Sequence, residues 1–198
     1  KYIKNKKQAK KTVLGVSLIE LVISMAVLGL ISVMVASIYF VHFRLTSNQS
    51  NSIDIANENR AAVDNITNQI REAQAIVSTC PACGGTQTGT YAIVLQLWPL
   101  DANGIPKDPV ASDYDYVIYK RDDLENTKLN KTILASASSS RTSQTEQLSQ
   151  TISNLLFYYD NVDPTLATEV TVTVTNTVSK YGKTNTITQE NKAVLRNK

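Results

Sequence analysis

Residues 21–43 run for 23 positions without a formal charge, and no other feature constrains the chain as strongly. As an α-helix rising about 1.5 Å per residue, the run covers roughly 30 Å of hydrocarbon, enough to cross a bilayer. A cleaved secretory signal has an apolar region of only about 7 to 15 residues, so this run is too long for that reading. Lys1, Lys4, Lys6, Lys7, Lys10 and Lys11 precede it, with no acid among the first fourteen residues. Positive charge stays on the cytoplasmic side. The N-terminus is therefore expected in the cytoplasm and everything after Arg44 outside it.

The same lysines set the charge balance: the formal net charge of +3 becomes −3 once those six are set aside. No strongly basic surface remains to argue for nucleic acid binding. Glu20 is the acid at the head of the apolar run. A carboxylate inside a spanning segment costs about 2.5 to 3.5 kcal/mol on insertion scales and tends to mark function or a specific partner. The plain alternative is an acid that snorkels to the interface.

The stretch "GVSLIELV", from Gly15 to Val22, follows a short basic leader and continues into the apolar run. It resembles the processing site of type IV prepilins and type II secretion pseudopilins. The resemblance implies cleavage after Gly15 by a prepilin peptidase, which also methylates the new N-terminus at Val16. Glu20 then falls at the fifth mature position, where the family pattern places a glutamate. Val16 departs from the phenylalanine or methionine more usual at the first mature position. By the same resemblance, Glu20 pairs with the N-terminal amine of a neighbouring subunit and sets axial register during filament assembly. The implied partners are other pilin or pseudopilin subunits, the peptidase/N-methyltransferase, the inner-membrane assembly machinery and the membrane itself. The implied fold is α+β, a long N-terminal helix packed on an antiparallel β-sheet.

The residues beyond the membrane give the same layout. Ile53, Ala56, Val63, Ile66, Ile70, Ala73 and Val77 recur at three- and four-residue steps among polar neighbours, and no proline occurs in residues 16–80. An amphipathic helix continuing the apolar one is expected, its stripe packed on the same chain. Four parts follow: a leader at 1–15, a membrane or filament-core helix at 16–44, an amphipathic continuation at 45–79 and a globular sheet domain at 80–198. In the last, "YAIVLQLW" (91–98), "YDYVIYK" (114–120), "ISNLLFYY" (152–159) and "EVTVTVTNTV" (169–178) read as strands. Val170, Val172 and Val174 alternate with threonines and should face the helix stripe. Residues 135–150, "ASASSSRTSQTEQLSQ", read as a flexible surface loop. The "LDANG" turn, the "YDYVIYK" strand and the ending "ITQENKAVLRNK" are similar to larger minor pilins and J-type minor pseudopilins.

Cys80 and Cys83 are the only cysteines. A zinc site needs about four ligands, and the sole histidine, His42, sits at the membrane helix. A redox site needs a low-pKa thiol at a helix start, whereas this pair follows one. A local disulfide in an oxidising exterior and a pair of free thiols remain, the disulfide preferred. Asp101-Ala102-Asn103-Gly104, with Asp108 nearby, lacks the ligand spacing of a calcium loop and reads as an Asn-Gly turn. One histidine cannot organise a distal catalytic triad, and no phosphate-binding glycine loop or metalloprotease motif occurs, so no enzyme, cofactor or metal is expected. The carboxylates Asp113, Asp115, Asp122 and Asp123 read as solvated surface acids. Two function classes stand: a structural filament subunit, and a binding module held permanently by one transmembrane helix.

Overall fold

The computed structural model describes residues 15–80, 82–110, 113–180 and 182–196. The chain divides into two compact units, Lys1–Ser47 and Asn48–Lys198, and the helix α1 (Leu18–Glu72) contributes to both. In the first unit every residue from 15 to 46 is exposed, including the whole apolar run. This part of α1 is long and apolar enough to cross a membrane. Its hydroxyls are satisfied inside the helix: Ser24 donates to the Glu20 carbonyl at 2.7 Å, Ser32 to Leu28 at 2.8 Å and Ser37 to Met34 at 2.8 Å. In hydrocarbon an unpaired hydroxyl is costly, so this back-bonding suits a lipid-facing helix. At the end of the run the Arg44 guanidinium stacks 4.2 Å from the Phe40 ring centre.

In the second unit, residues 48–72 of α1 bury one face: Ile55, Asn59, Ala62, Val63, Ile66, Thr67 and Ile70. These fall at the three- and four-residue steps of a single helical stripe. Ile53 is 60% exposed, so the stripe passes through Ile55 rather than through the Ile53 read from periodicity. Two isoleucines two residues apart leave the phase ambiguous, and the residue that resolves it is polar. Asn59 Nδ2 donates to the Val174 carbonyl at 3.1 Å and the Ile187 carbonyl at 2.9 Å, tying α1 to the sheet it covers.

α1 ends at Glu72, where the Ala73 N–H still reaches back to Gln69 at 3.0 Å while the Gln74 N–H already bonds Gln96 across a sheet at 2.9 Å. The helix thus stops short of residue 79. Strand β1 (Ala75–Ile76) begins the first sheet, followed by β2 (Ala92–Leu97), β3 (Asp115–Arg121), β4 (Leu129–Leu134) and β5 (Gln144–Ser149). These five form an antiparallel meander in chain order. A second antiparallel sheet holds β6 (Ile152–Tyr159), β7 (Glu169–Lys180) and β8 (Lys183–Val194). Backbone bonds from Phe157 to Thr90 at 2.8 Å and from Ile152 to Thr127 at 2.9 Å tie β6 to the first sheet's connections.

The architecture is α+β, and one hydrophobic core joins helix and both sheets. Val63, Ile66 and Ile70 meet Leu95 and Val117 of the first sheet, and Phe157, Val170, Val172 and Val174 of the second. Val170, Val172 and Val174 of β7 are fully buried and the threonines between them are not, as a strand with one covered face requires. Four strands escape the sequence reading, the first being β1, which lies in the stretch read as helix. β4 and β5 lie in polar sequence, and β8 ("KTNTITQENKAV") buries only Ala193 among its twelve residues.

Ile66 has no exposed surface. Ile66→Ala should cost about 2–5 kcal/mol in chemical denaturation, whereas Ile53→Ala should stay within about 0.5 kcal/mol. Equal losses at the two positions would place the stripe on the wrong face.

Candidate functional site

The junction at the head of α1 is built by local hydrogen bonding. Gly15 and Val16 precede the helix and are exposed. Ser17 Oγ accepts the Glu20 N–H at 3.3 Å, and the Ser17 carbonyl accepts the N–H groups of Glu20 at 3.1 Å and Leu21 at 3.2 Å. Ser17-Leu-Ile-Glu20 is therefore a serine N-cap with an acid at the third helical position, which matches the capping-box spacing. A carboxylate in the first turn is also favoured by the helix dipole. The cap is visible in the sequence as S-x-x-E ahead of an apolar run, a signal the reading of Glu20 as a lone acid passes over. The basic residues expected to form a leader, Lys1 to Lys11, lie outside the described residues.

From Val16 to Phe43 the exposed apolar side chains surround the helix, among them Leu21, Met25, Leu28, Ile31, Val35 and Phe40. Apolar surface of this extent marks contact with lipid or with other protein. Nothing in the chain's own second unit is needed to explain it; the remaining apolar stripe of α1 already has its partner in the sheets.

Cys80 and Cys83 are bonded, their Cα atoms 5.2 Å apart. Both are buried and pack on Val94 and Ile118, with Val77, Tyr116 and Leu134 around them. The turn is closed by the Cys83 N–H on the Cys80 carbonyl at 3.1 Å and the Thr86 N–H on Cys83 at 3.0 Å. Gly84 (φ +59°) and Gly85 (φ +84°) take the left-handed backbone this reversal requires. Thr88 then donates to the Val77 carbonyl and accepts the Val94 N–H at 3.0 Å. Among the described residues no group of three or more metal-ligating side chains is brought together.

The acids near β3 are tied to turns and cations. Asp115 is fully buried, and its carboxylate accepts the Ser136 N–H at 2.7 Å, the Ser139 hydroxyl at 2.7 Å and Arg141 Nη1 at 2.6 Å. Asp113 accepts the Ser138 N–H at 3.3 Å. The serine-rich segment expected to be a flexible loop is thus clamped at 136–141 and then paired as β5. Its sequence has little to bury, but its backbone donors and hydroxyls satisfy a buried acid, a contact invisible to hydropathy. Asp122 accepts the N–H groups of Glu125 and Leu124, both at 2.9 Å, which hold its carboxyl below the usual range. Asp123 pairs with Lys120 at 2.6 Å. Asp101 likewise accepts Ile105 at 2.9 Å and Asn103 at 2.8 Å around Gly104 (φ +78°), so the Asn-Gly turn is a capped reversal with its acid held below the usual value. Burial pushes the hydroxyls of Tyr119 and Tyr159 well above the ordinary tyrosine value. They serve as neutral donors, to Asn65 Oδ1 at 2.8 Å and the Gly89 carbonyl at 3.0 Å.

Compared with known proteins, the chain matches no family model and no curated sequence. The functional reading therefore rests on the residues themselves.

Removing Asp115 would leave Arg141, 21% exposed at its side chain, beside an unpaired Ser136 N–H. Asp115→Ala should cost about 3 kcal/mol, the low end for breaking a buried pair, and should speed amide exchange at 136–141. Asp160 offers a pH test: the Thr168 hydroxyl at 2.6 Å, with the Glu169 and Thr168 backbone N–H groups, lowers its folded pKa. A lowered pKa stabilises the fold above the unfolded value of about 3.9, and that share is lost as pH falls through the folded value. Asp160→Asn should flatten the acid limb of the stability–pH curve below about pH 4 and leave its neutral shape alone.

Proposed function

We propose that this chain is a structural subunit, of the minor kind, of a type IV pilus or type II secretion pseudopilus. The observation that carries the reading is the junction at the head of α1: Gly15-Val16 directly ahead of a helix that is apolar on all sides, with Glu20 in its first turn. Cleavage after Gly15 would leave Val16 as a methylated N-terminus and Ser17 as the helix cap. The charged amine so created is a cation of the kind that makes a carboxylate tolerable in an apolar environment. Glu20 of one subunit then pairs with the Val16 amine of the next, and the exposed apolar faces of residues 16–43 pack against each other in the filament core. Before assembly the same helix holds the chain in the cytoplasmic membrane, N-terminus inside and sheet domain outside. The pilin-like layout, with a leader at 1–15, a core helix at 16–44 and a continuation that carries the sheets, is part of the same proposal. The prepilin peptidase/N-methyltransferase, the inner-membrane assembly machinery and other pilin-like subunits are the partners it requires.

A second reading has its own support. Ser17 caps the Glu20 backbone N–H, and the Ser17–Glu20 spacing is that of a capping box, a position for an acid that a permanently anchored, unprocessed extracellular binding module would also favour. Glu20→Gln separates the two, since glutamine serves at the third position of a capping box but carries no charge. A register role predicts that Glu20→Gln and Glu20→Ala both insert into the membrane and both fail to enter filaments. A capping role alone predicts that Glu20→Gln behaves as the unmodified chain. Mass spectrometry of the mature N-terminus in cells containing the peptidase gives the direct test: a methylated Val16 is expected, and an intact leader would overturn the filament reading.

A further inference from the structure

Beside the end of α1 the second unit carries a cavity of about 640 Å³ that the assembly reading does not use. Arg71, Arg141 and Arg196 reach it from three separate parts of the chain: the last turn of α1, the clamped serine segment and the residues after β8. Trp98, Leu97 and Pro106 form its apolar side, and Glu72 is the acid among the described residues that line it. That acid already accepts Gln69 Nε2 at 3.2 Å. The volume lies within the range of small-molecule sites, which pair an apolar wall with a few convergent polar groups.

Arg141 is held in place before any ligand arrives. Its Nη1 donates to the fully buried Asp115 at 2.6 Å and to the Trp98 carbonyl at 2.8 Å, so one acid fixes the guanidinium and the tryptophan's backbone together. The Arg71 guanidinium donates to the neutral Asn68 Oδ1 at 3.3 Å. Among the described residues three guanidiniums stand against two carboxylates, Glu72 in the lining and Asp115 behind Arg141, so the surplus charge is cationic and favours an anionic ligand. Guanidinium forks match planar, two-oxygen anions, and an indole face matches a flat apolar body.

We propose that this cavity binds a carboxylate attached to a flat apolar group. The carboxylate lies among Arg71, Arg141 and Arg196, and the apolar group rests on Trp98, Leu97 and Pro106. A free aromatic acid and the C-terminal carboxylate of another polypeptide share this chemistry. The proposal is independent of filament assembly, since none of these residues belongs to the exposed apolar run.

Trp98 is the only tryptophan in the chain, so its fluorescence reports on this cavity. The full-length chain in phosphatidylcholine nanodiscs is titrated with phenylacetate, with its uncharged analogue phenylacetamide and with inorganic phosphate. Phenylacetate should give a saturable change, and the other two should bind about tenfold more weakly or not at all. Arg71→Gln with Arg196→Gln should weaken phenylacetate about tenfold at unchanged circular dichroism, because charge-assisted bonds are lost. Arg196→Gln alone, at an exposed position, should weaken it less and serves as the measure if the pair disturbs folding. No saturable change, equal binding of phenylacetamide or phosphate, or unaltered affinity in the variants would overturn the proposal. A tripeptide ending in a free phenylalanine carboxylate distinguishes the sources: tighter binding than phenylacetate assigns a polypeptide terminus, weaker binding a free acid.

Discussion

The burial of one face of α1 against two sheets is the interaction on which the second unit depends. Val63, Ile66 and Ile70 lie in one core with Leu95 and Val117 of the first sheet and the β7 valines of the second. Neither sheet could cover its apolar face alone, since the first is a polar-edged meander and the second has only three strands. An isolated small sheet is marginal in water until something packs on it. The helix supplies that cover, and Asn59 fixes its position by bonding two sheet carbonyls from inside the contact.

The first unit obeys the opposite rule. Its apolar residues are all exposed, so they add nothing to the fold of a single chain and leave a surface that demands lipid or protein. Polar atoms in this stretch are handled locally: serine hydroxyls bond back along the helix, and Ser17 caps its start. A helix satisfied within itself can pass from one apolar environment to another without breaking hydrogen bonds. That property suits a helix whose apolar surface meets lipid or other protein.

The serine-rich segment connects fold and chemistry in the second unit. Asp115 is buried, yet it is surrounded by a guanidinium, a hydroxyl and a backbone N–H, so its charge is matched where it sits. The same bonds order residues 136–141 and aim Arg141 at a cavity. Hydropathy marks this segment as solvated because residues 136–141 have almost nothing apolar to bury, whereas their ordering comes from hydrogen bonds to one acid 21 or more residues away.

Short-range patterns in the sequence determined the long helix, the apolar run, the junction at Gly15 and Glu20, and the strands β2, β3, β6 and β7. Each has a hydrophobic period or a cap that acts over a few residues, so each is legible without knowing its neighbours. The tertiary structure decided what depends on distant partners. It set the phase of the helix stripe, chosen by a polar Asn59, and the early end of α1, where Gln74 exchanges a helical bond for one to β2. It also made strands of the polar segments β4, β5 and β8, which take their pairing from the strands beside them. The three arginines of the cavity stand at positions 71, 141 and 196, and no local pattern in a sequence can bring such residues together.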